Sequence, residues 1–372
     1  MNILLINPIL YTPPFSGGEV NRISTLDNTM AVNYALGFVQ LGHSVTIVAS
    51  EEYKPLNEKI YEGIDIVYFP NIAKRYIKRF PNGFPILKGL KRWLKRENNR
   101  FDIIISSEAF TYTTYIAASV CPKKTIIWQE LGSHNRMLRQ LPSKIWYNTI
   151  VRCLMKRVLV VPRSEIARRF ISQYSSNVST TIVSHGLNTD TFYSSVNKQN
   201  YFAIISRLIE SKNIVTTINK FNEFIKSYAS GSNWLLIIAG EGPERPVIEQ
   251  EIEAQNLQDR VILRGRCEKN EVGDILRGAT AMLTDSLQEY NMISMSEALA
   301  CGTPVITNRV PYTSYEVEKY DLGIVKDDWD WHDMVKVIEC RDEYVRRCTE
   351  YSSQLSYTYL AQKMLDAAQA LR

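Results

Sequence analysis

Short apolar runs separated by amphipathic stretches recur along the whole chain of 372 residues. The runs are rich in isoleucine, valine and leucine, which indicates parallel strands buried on both faces. Two series, before and after residue 200, predict an α/β protein with two doubly wound, Rossmann-like domains. The runs are 3–6, 45–49, 64–69, 103–106, 125–128, 158–161 and 181–183, then 202–205, 235–239, 261–263, 281–283, 305–307 and 324–325.

A polar segment, residues 188–200, separates the two series and is the best candidate for a linker. We therefore expect an N-terminal domain over residues 1–190 and a C-terminal domain over residues 191–352. The remaining residues, 353–372, are expected to form a helix that packs back on the N-terminal domain.

The composition is typical of a soluble globular protein, with 45% hydrophobic and 22% charged residues. No apolar run reaches the ~18 residues that a membrane span needs. The first ten residues, MNILLINPIL, lack the basic region and cleavage site of a signal peptide. The six cysteines form no CxxC pair and the four histidines are scattered. We therefore expect reduced thiols, a cytoplasmic protein and no metal site.

Positive charge is concentrated in one segment. Residues 71–96 contain nine lysines and arginines and no acid, and apolar residues recur at helical spacing from residue 87 to residue 95. The part from Lys74 to Arg96 could bind an anionic membrane surface, which would place the protein on the inner face of the membrane. The alternative is a solvated surface helix and loop. No nucleic-acid-binding motif accompanies the charge, so we expect no nucleic acid partner.

Two glutamates flank a predicted helix start in the segment 279–308. The strand 281–283 runs into a polar turn, Glu289 follows, and a helix that starts near Tyr290 carries Glu297. The unpaired N–H groups of such a helix could bind an anion while the two carboxylates bind hydroxyl groups. This arrangement would suit a nucleotide-sugar. The alternative is a capping glutamate followed by a surface glutamate on an ordinary strand–helix unit.

Other strands of the second series are also followed by residues suited to a nucleotide. Two cations after the strand 202–205 suit a diphosphate. A glycine-rich turn with proline follows the strand 235–239, and bare backbone after 261–263 could pair with the edge of a base. Each could instead be an ion pair, a loop or a strand end. The residues are Arg207, Lys212, Gly240, Gly242, Arg264 and Gly265.

In the first series, Glu108, Glu130 and His134 follow neighbouring strands. Ligands of open α/β sheets bind beyond the carboxyl ends of strands, so these three side chains could face a cleft. Gly17 and Gly18 would permit close approach of the backbone to a ligand. The GxGxxG motif is absent after the first strand, which argues against a Rossmann dehydrogenase.

Taken in order, these pieces resemble glycosyltransferase family 4, whose members are retaining nucleotide-sugar enzymes with the two-domain GT-B fold. Segment 181–188 resembles the family's VIPNGVD, with His185 in place of asparagine, and 206–213 resembles GRLxxxKG. Segment 240–245 matches GxGPxR, and 289–297 matches the family's glutamate pair, followed by EAxAxGxPVI. The chain departs from the family where EGFG is replaced by Glu289, Tyr290, Asn291 and Met292, so donor choice is expected to reside there.

The resemblance implies a role for each matching residue. Arg207 and Lys212 would hold the donor diphosphate, Glu289 the sugar hydroxyls and Glu297 the ribose. Glu130 and His134 are the catalytic candidates of the N-terminal domain. The other residues implied in donor binding are Gly17, Gly18, His185, Gly240, Gly242, Arg264, Gly265, Asn291, Met292 and Ile293.

The function expected from the resemblance is retaining transfer of a hexose. The donor would be a UDP- or GDP-sugar, and the acceptor a glycan or lipid-linked glycan in cell-surface polysaccharide synthesis. No metal or other cofactor is expected, because cations replace the metal. Two alternatives remain open at this point: a nucleotide-sugar epimerase or hydrolase on the same fold, and a catalytically inactive glycan-binding subunit.

Overall fold

The computed structural model describes residues 1–11, 22–27, 29–73, 84–135, 137–228 and 233–369. The chain divides into two compact units. The first unit comprises Met1–Gly186 with Tyr357–Arg372, and the second comprises Leu187–Ser356. The boundaries expected from the sequence, at residues 190 and 352, each differ from these by four residues.

The first unit contains a six-stranded parallel sheet. Its strands are β1 (Asn2–Ile6), β2 (Ser44–Ser50), β3 (Ile64–Phe69), β4 (Ile103–Ser107), β5 (Thr125–Gln129) and β6 (Leu159–Pro162). They are ordered β3-β2-β1-β4-β5-β6. Between and after them lie α1 (Met30–Gln40), α2 (Leu90–Glu97), α3 (Tyr112–Val120), α4 (Leu141–Trp146), which continues into a π-helix (Tyr147–Met155), and α5 (Glu165–Ile171).

The second unit repeats this architecture. Its strands are β7 (Tyr201–Ile205), β8 (Leu235–Ala239), β9 (Val261–Gly265), β10 (Ala281–Thr284), β11 (Val305–Thr307) and β12 (Gly323–Val325). They form a parallel sheet ordered β12-β11-β10-β7-β8-β9. Its helices are α6 (Ile214–Ser227), α7 (Arg245–Ala254), α8 (Lys269–Gly278), α9 (Ile293–Ala300), α10 (Ser314–Lys319), α11 (Trp331–Glu339) and α12 (Arg341–Ser352).

Both sheets are covered on both faces, as the apolar runs predict. In β1, Ile3 and Leu5 pack into the core beneath α1, while Leu4 and Ile6 pack into the core beneath α2. Side chains of a strand alternate between the two faces of the sheet, so a run that is apolar at every position must be covered on both faces. The fold class read from the sequence is therefore confirmed.

The last helix, α13 (Tyr357–Gln369), belongs to the first unit and packs on α1. A Cβ atom on Gly37 of α1 would lie 2.5 Å from the Tyr357 carbonyl oxygen, so this contact requires glycine. None of the helices in the described ranges is long and apolar enough to cross a membrane.

Two local predictions from the sequence are wrong. Residues 181–183 form no strand; Trp128 Nε1 donates a hydrogen bond to the Val183 carbonyl, and Val183 N donates to Pro162. The helix expected to start near Tyr290 starts at Ile293, so Asn291 and Met292 precede it. A short run such as 181–183 cannot be assigned to a strand or to another buried segment from its sequence pattern alone.

Candidate active site

The candidate donor site lies at the carboxyl edge of the second sheet. Arg207 follows β7, Gly240 follows β8, Gly265 ends β9 and Asp285 follows β10. Because these strands are neighbours in a parallel sheet, their carboxyl ends lie at one edge, where α/β proteins bind ligands.

A largely buried ion pair lies at this edge. Lys212 is 8% exposed, and its ammonium group contacts the carboxylate of Glu289. Burial, together with the nearby Arg207 guanidinium, lowers the pKa of Lys212 to about 8. Lys212 therefore stays mostly protonated at neutral pH. The fold brings this pair together although 77 positions separate the two residues in the sequence.

Arg207 is exposed beside this pair. Among the described residues its guanidinium has no hydrogen-bond or ion-pair partner, which leaves its five N–H donors available to an anion. The two cations predicted for a diphosphate thus lie near each other, one buried and one exposed.

Gly240 and Gly242 hold the loop that carries Arg207. A Cβ atom on Gly240 would lie 1.8 Å from the Ser206 carbonyl oxygen, and one on Gly242 would lie 2.1 Å from the Leu208 carbonyl oxygen. Only glycine permits so close an approach of two backbones. In this structure the GxGPxR turn therefore positions the backbone of residues 206–208.

At the end of β9, which is predicted to meet the base, Arg264 is exposed and Gly265 is hydrogen-bonded. Arg264 is exposed, whereas the Gly265 carbonyl accepts a hydrogen bond from Gly240 N at 2.8 Å. Gly265 has a φ of 69°, a left-handed conformation that favours glycine. The β8 and β9 ends are thereby joined.

The second glutamate, Glu297, is only 3% exposed and is the fifth residue of α9. Its carboxylate pairs with Lys269, the first residue of α8. The sequence analysis did not identify Lys269, because nothing in its neighbourhood matches a motif. A polyol that binds Glu297 would have to displace or share this exposed lysine.

The segment between the glutamates contains an unpartnered amide. Within the described ranges, Asn291 Nδ2 is buried without a hydrogen-bond partner. Tyr290 packs edge-on against Tyr312, with ring centroids 5.6 Å apart. Met292, the N-cap of α9, is buried, and Ile293 is 40% exposed. The α9 start thus presents unpaired N–H groups, as every helix start does, beside a free side-chain donor.

A buried network surrounds Asp285, which begins the turn that carries Glu289. Asp285 accepts hydrogen bonds from Lys220 Nζ at 2.8 Å and from Asn308 Nδ2 at 3.0 Å. The Lys220 ammonium lies 4.0 Å from the centroid of the Trp329 ring. Sequence reasoning missed Asp285 because its partners lie on distant helices and strands.

Replacing Asp285 with alanine should destabilise the second unit by about 3 kcal/mol, because it leaves Lys220 charged and largely buried without its partner. Thermal unfolding measures the effect. Asp328→Ala is the matched control, since Asp328 is 86% exposed and its ion pair with Lys326 spans 4.0 Å. Exposed pairs contribute little, so equal loss of stability in both variants would contradict the assignment.

The first unit holds a separate cluster of charges at the ends of β4, β5 and β6. Glu130 accepts hydrogen bonds from Arg163 Nη1 at 2.7 Å and from His185 Nε2 at 3.3 Å. Burial alone would raise the pKa of Glu130, but the charges and hydrogen bonds of His185 and Arg163 outweigh burial and lower it to about 2. Arg163, which the sequence analysis missed, is 3% exposed and stacks on Trp128.

Glu108 lies beside this cluster in a left-handed conformation with φ of 65°. Its carboxylate accepts hydrogen bonds from the backbone amides of Glu130 and Leu131. Burial raises the pKa of Glu108 to about 7 against the lowering effect of Arg163. Two neighbouring carboxyl groups therefore titrate far apart, a pattern found where one group exchanges protons and the other stays ionised.

His134 lies in an aromatic pocket. Its Nδ1 is 3.2 Å from Ser143 Oγ and its Nε2 is 3.0 Å from the Tyr174 hydroxyl. The Tyr147 and Phe170 rings pack edge-on against it, and burial lowers its pKa. Both ring nitrogens are bonded, so neither is free for a substrate proton in this structure.

Two predicted features fall partly or wholly outside the described residues. Gly17 and Gly18 lie outside them, as do residues 74–83 of the basic segment. Of the rest of that segment, Leu90 and Leu94 are buried in the core, while the lysines and arginines of α2 are exposed. The apolar side of α2 is thus occupied by the protein itself.

Comparison with known proteins identifies the family. The family described as Glycosyltransferase Family 4 matches residues 28–191, and the one described as Glycosyl transferases group 1 matches residues 189–351. The chain belongs to glycosyltransferase family 4. The expectation from the sequence motifs is confirmed.

Relatives of this family 4 glycosyltransferase include enzymes named for lipid substrates. It is 24% identical to alpha-monoglucosyldiacylglycerol synthase of Acholeplasma laidlawii over 314 residues, 75% of each chain. It is 34% identical to a human phosphatidylinositol N-acetylglucosaminyltransferase subunit over 107 residues, 29% of this chain and 22% of that protein.

Its fold matches that of solved glycosyltransferases. Anabaena HepE, solved in complex with UDP, superposes with a TM-score of 0.68 at 14% identity, over 100% of both chains. The family 4 chain thus has the GT-B fold.

Proposed function

We propose that this protein is a retaining, metal-independent hexosyltransferase that moves a sugar from a UDP- or GDP-sugar to a glycan or lipid-linked glycan acceptor. The observation that carries the proposal is the largely buried Lys212–Glu289 pair with the free Arg207 beside it, at the carboxyl edge of the second sheet. Retention and metal independence are carried over from the family resemblance.

The donor would separate the Lys212–Glu289 pair. Its diphosphate would take the ammonium of Lys212 and the guanidinium of Arg207, and its sugar hydroxyls would take the carboxylate of Glu289. As the bond from the anomeric carbon to the phosphate oxygen breaks, its electrons move to the diphosphate, and the two cations stabilise the developing charge. Removing one such donor typically costs about 2.7–4 kcal/mol of transition-state stabilisation.

The acceptor hydroxyl would form the new bond on the same face of the sugar. In this proposal its proton passes to the leaving phosphate oxygen. Glu297 would bind the ribose hydroxyls after exchange with Lys269, and the unpartnered Asn291 amide would bind a sugar hydroxyl. Tyr290 and Asn291, which replace residues of the family pattern, would then contribute to donor choice.

The lipid-linked acceptor is supported by two observations. Two relatives are named for glycosylation of diacylglycerol and phosphatidylinositol lipids. The exposed face of α2 carries Lys91, Arg92 and Lys95 on an otherwise polar surface, which suits anionic lipid. We propose with it a role in cell-surface polysaccharide synthesis, peripheral on the inner face of the membrane.

Thermal shift with UDP, GDP and ADP tests the donor class, because a ligand that binds only the folded state raises the melting temperature. We expect UDP or GDP to raise it by several degrees, roughly 2–4 °C per kcal/mol for a unit of the size of the second one, Leu187–Ser356. Lys212→Ala should reduce this shift, whereas Lys226→Ala, an exposed lysine on α6, should not. No shift with any of the three nucleotides would contradict the proposal.

A further inference from the structure

The helix of residues 141–155, formed by α4 and the π-helix, exposes three large apolar side chains. Leu141 is 60% exposed, Ile145 54% and Leu154 54%. Its buried side chains recur at every fourth position, so the positions two residues away, such as 141 and 145, lie on the opposite side. The buried residues are Ser143, Tyr147, Val151 and Met155.

Exposed cations lie on the same helix, and acids are absent from it. Lys144, Lys156 and Arg157 are exposed on or directly after the helix. No aspartate or glutamate occurs between residues 131 and 164. The exposed side of the helix is therefore both apolar and positively charged, the composition of an element that lies in the surface of an anionic membrane.

The same layer of helices contains α2. Tyr115 of α3 packs against both the core beneath α2 and the core beneath the π-helix, so the three elements cover one face of the first sheet. The Phe84 and Trp146 rings, 5.4 Å apart, join the start of the α2 segment to α4. The exposed cations of α2 and of the segment before it are Lys88, Lys91, Arg92, Lys95 and Arg96.

The two elements differ in the kind of side chain that they expose. On α2 the leucines are buried and only charge reaches the surface, so α2 alone could attract a bilayer but not insert into it. The helix of residues 141–155 has the exposed apolar side chains that α2 lacks. Membrane binding strength depends on both buried apolar area and attraction to anionic lipid.

We propose that the exposed face of α2 and of residues 141–157 docks on an anionic lipid bilayer, with Leu141 and Ile145 entering the boundary between headgroups and acyl chains. We call this the docking face. The inference rests on the proposed function, since a lipid-linked acceptor is presented at such a surface. It adds a second element, one that the sequence analysis did not identify, and assigns insertion to that element.

Flotation of the full chain with vesicles tests the docking face. We expect binding to vesicles of phosphatidylcholine mixed with phosphatidylglycerol, and little binding to phosphatidylcholine alone. Cys153 is the one exposed cysteine of the six and lies on the outward side of the helix. An environment-sensitive dye on Cys153 should shift its emission to the blue when anionic vesicles are added.

Matched variants separate insertion from attraction. Leu141→Ser with Ile145→Ser should weaken binding at least about tenfold, since two apolar side chains no longer leave water. Ile60→Ser with Leu56→Ser is the control, because both residues are exposed but lie on the connection before β3. Lys156→Gln with Arg157→Gln should weaken binding roughly 25-fold, about fivefold per charge. The control Lys123→Gln, at an exposed lysine just before β5, should not weaken binding.

Each outcome decides the inference. It is overturned if anionic vesicles do not bind the chain, if the Leu141/Ile145 variant binds as well as wild type, or if the Ile60/Leu56 control loses as much. Equal thermal unfolding of variants and wild type excludes misfolding. The UDP or GDP thermal shift, measured without vesicles, is independent: a normal shift with no vesicle binding rejects the docking face and leaves the donor proposal standing.

Discussion

Lys212→Ala is expected to reduce sugar transfer at least about 100-fold while the protein stays folded. The ammonium group is buried beside Arg207 and cannot be replaced by water or bulk ions, so the developing charge on the diphosphate loses its main partner. Release of nucleoside diphosphate measures the loss, with the nucleotide-sugar that the thermal-shift screen selects as donor.

A second variant of the site and a surface control accompany Lys212→Ala. Glu289→Gln keeps the size of the side chain but removes its charge, and we expect a comparable loss because the carboxylate orients both Lys212 and the sugar. Lys226→Ala, on the exposed surface of α6, should leave transfer unchanged. Full activity in both Lys212→Ala and Glu289→Gln would refute the site.

Glu108→Gln is expected to make the protein more stable at pH 8 and less sensitive to pH. Burial raises the pKa of Glu108 from 4.5 to about 7, so the folded state keeps a proton that the unfolded chain has already lost. The contribution of Glu108 to the free energy of unfolding is therefore greatest below pH 4.5 and falls as the pH rises towards 7. The full difference corresponds to roughly 3 kcal/mol at pH 8.

Melting temperatures at pH 5 and pH 8 test this linkage. The wild type should lose more stability between the two pH values than Glu108→Gln does. Glu62→Gln is the control, because Glu62 is an exposed glutamate in the same unit. An equal loss in wild type and Glu108→Gln would mean that Glu108 is ionised in the folded protein throughout this range. Glu130, with a pKa of about 2, contributes stability that is lost only as pH falls towards 2.

The architecture could be predicted from the sequence because burial on both faces leaves a visible pattern. Runs such as 3–6 and 202–205 are apolar at every position, as strands of a parallel sheet covered on both faces are. In segment 181–183, Val183 is buried without belonging to a strand, and its backbone hydrogen-bonds to Trp128 and Pro162. Apolar composition reports burial and does not report strand pairing.

The candidate site could be predicted in part. Arg207, Lys212, Glu289 and Glu297 stand out because they follow strands or lie within motifs. Their partners do not stand out. Lys269 reaches Glu297, and Lys220 and Asn308 reach Asp285, through contacts that the sequence order does not reveal. One signal was available for Arg163, since it is a cation directly after β6, as Arg207 is a cation two residues after β7.

The basic segment shows that an amphipathic pattern can have more than one cause. Helical spacing of Leu90 and Leu94 among lysines predicts an amphipathic helix, and α2 is one. Its apolar side faces the core, because a helix that covers a sheet is amphipathic for that reason alone. The exposed apolar residues of the docking face lie instead at positions 141 and 145, where no dense charge run marks them.

The central claim is that Lys212 and Arg207 bind the diphosphate of a nucleotide-sugar, and calorimetric titration with nucleoside mono- and diphosphates tests it most directly. The wild type should bind UDP or GDP at least about tenfold more tightly than the corresponding monophosphate, because the second phosphate gains a charge-assisted contact. Lys212→Ala should lose most of this preference while its affinity for the monophosphate changes little. An unchanged preference in Lys212→Ala, or no preference in the wild type, would contradict the account.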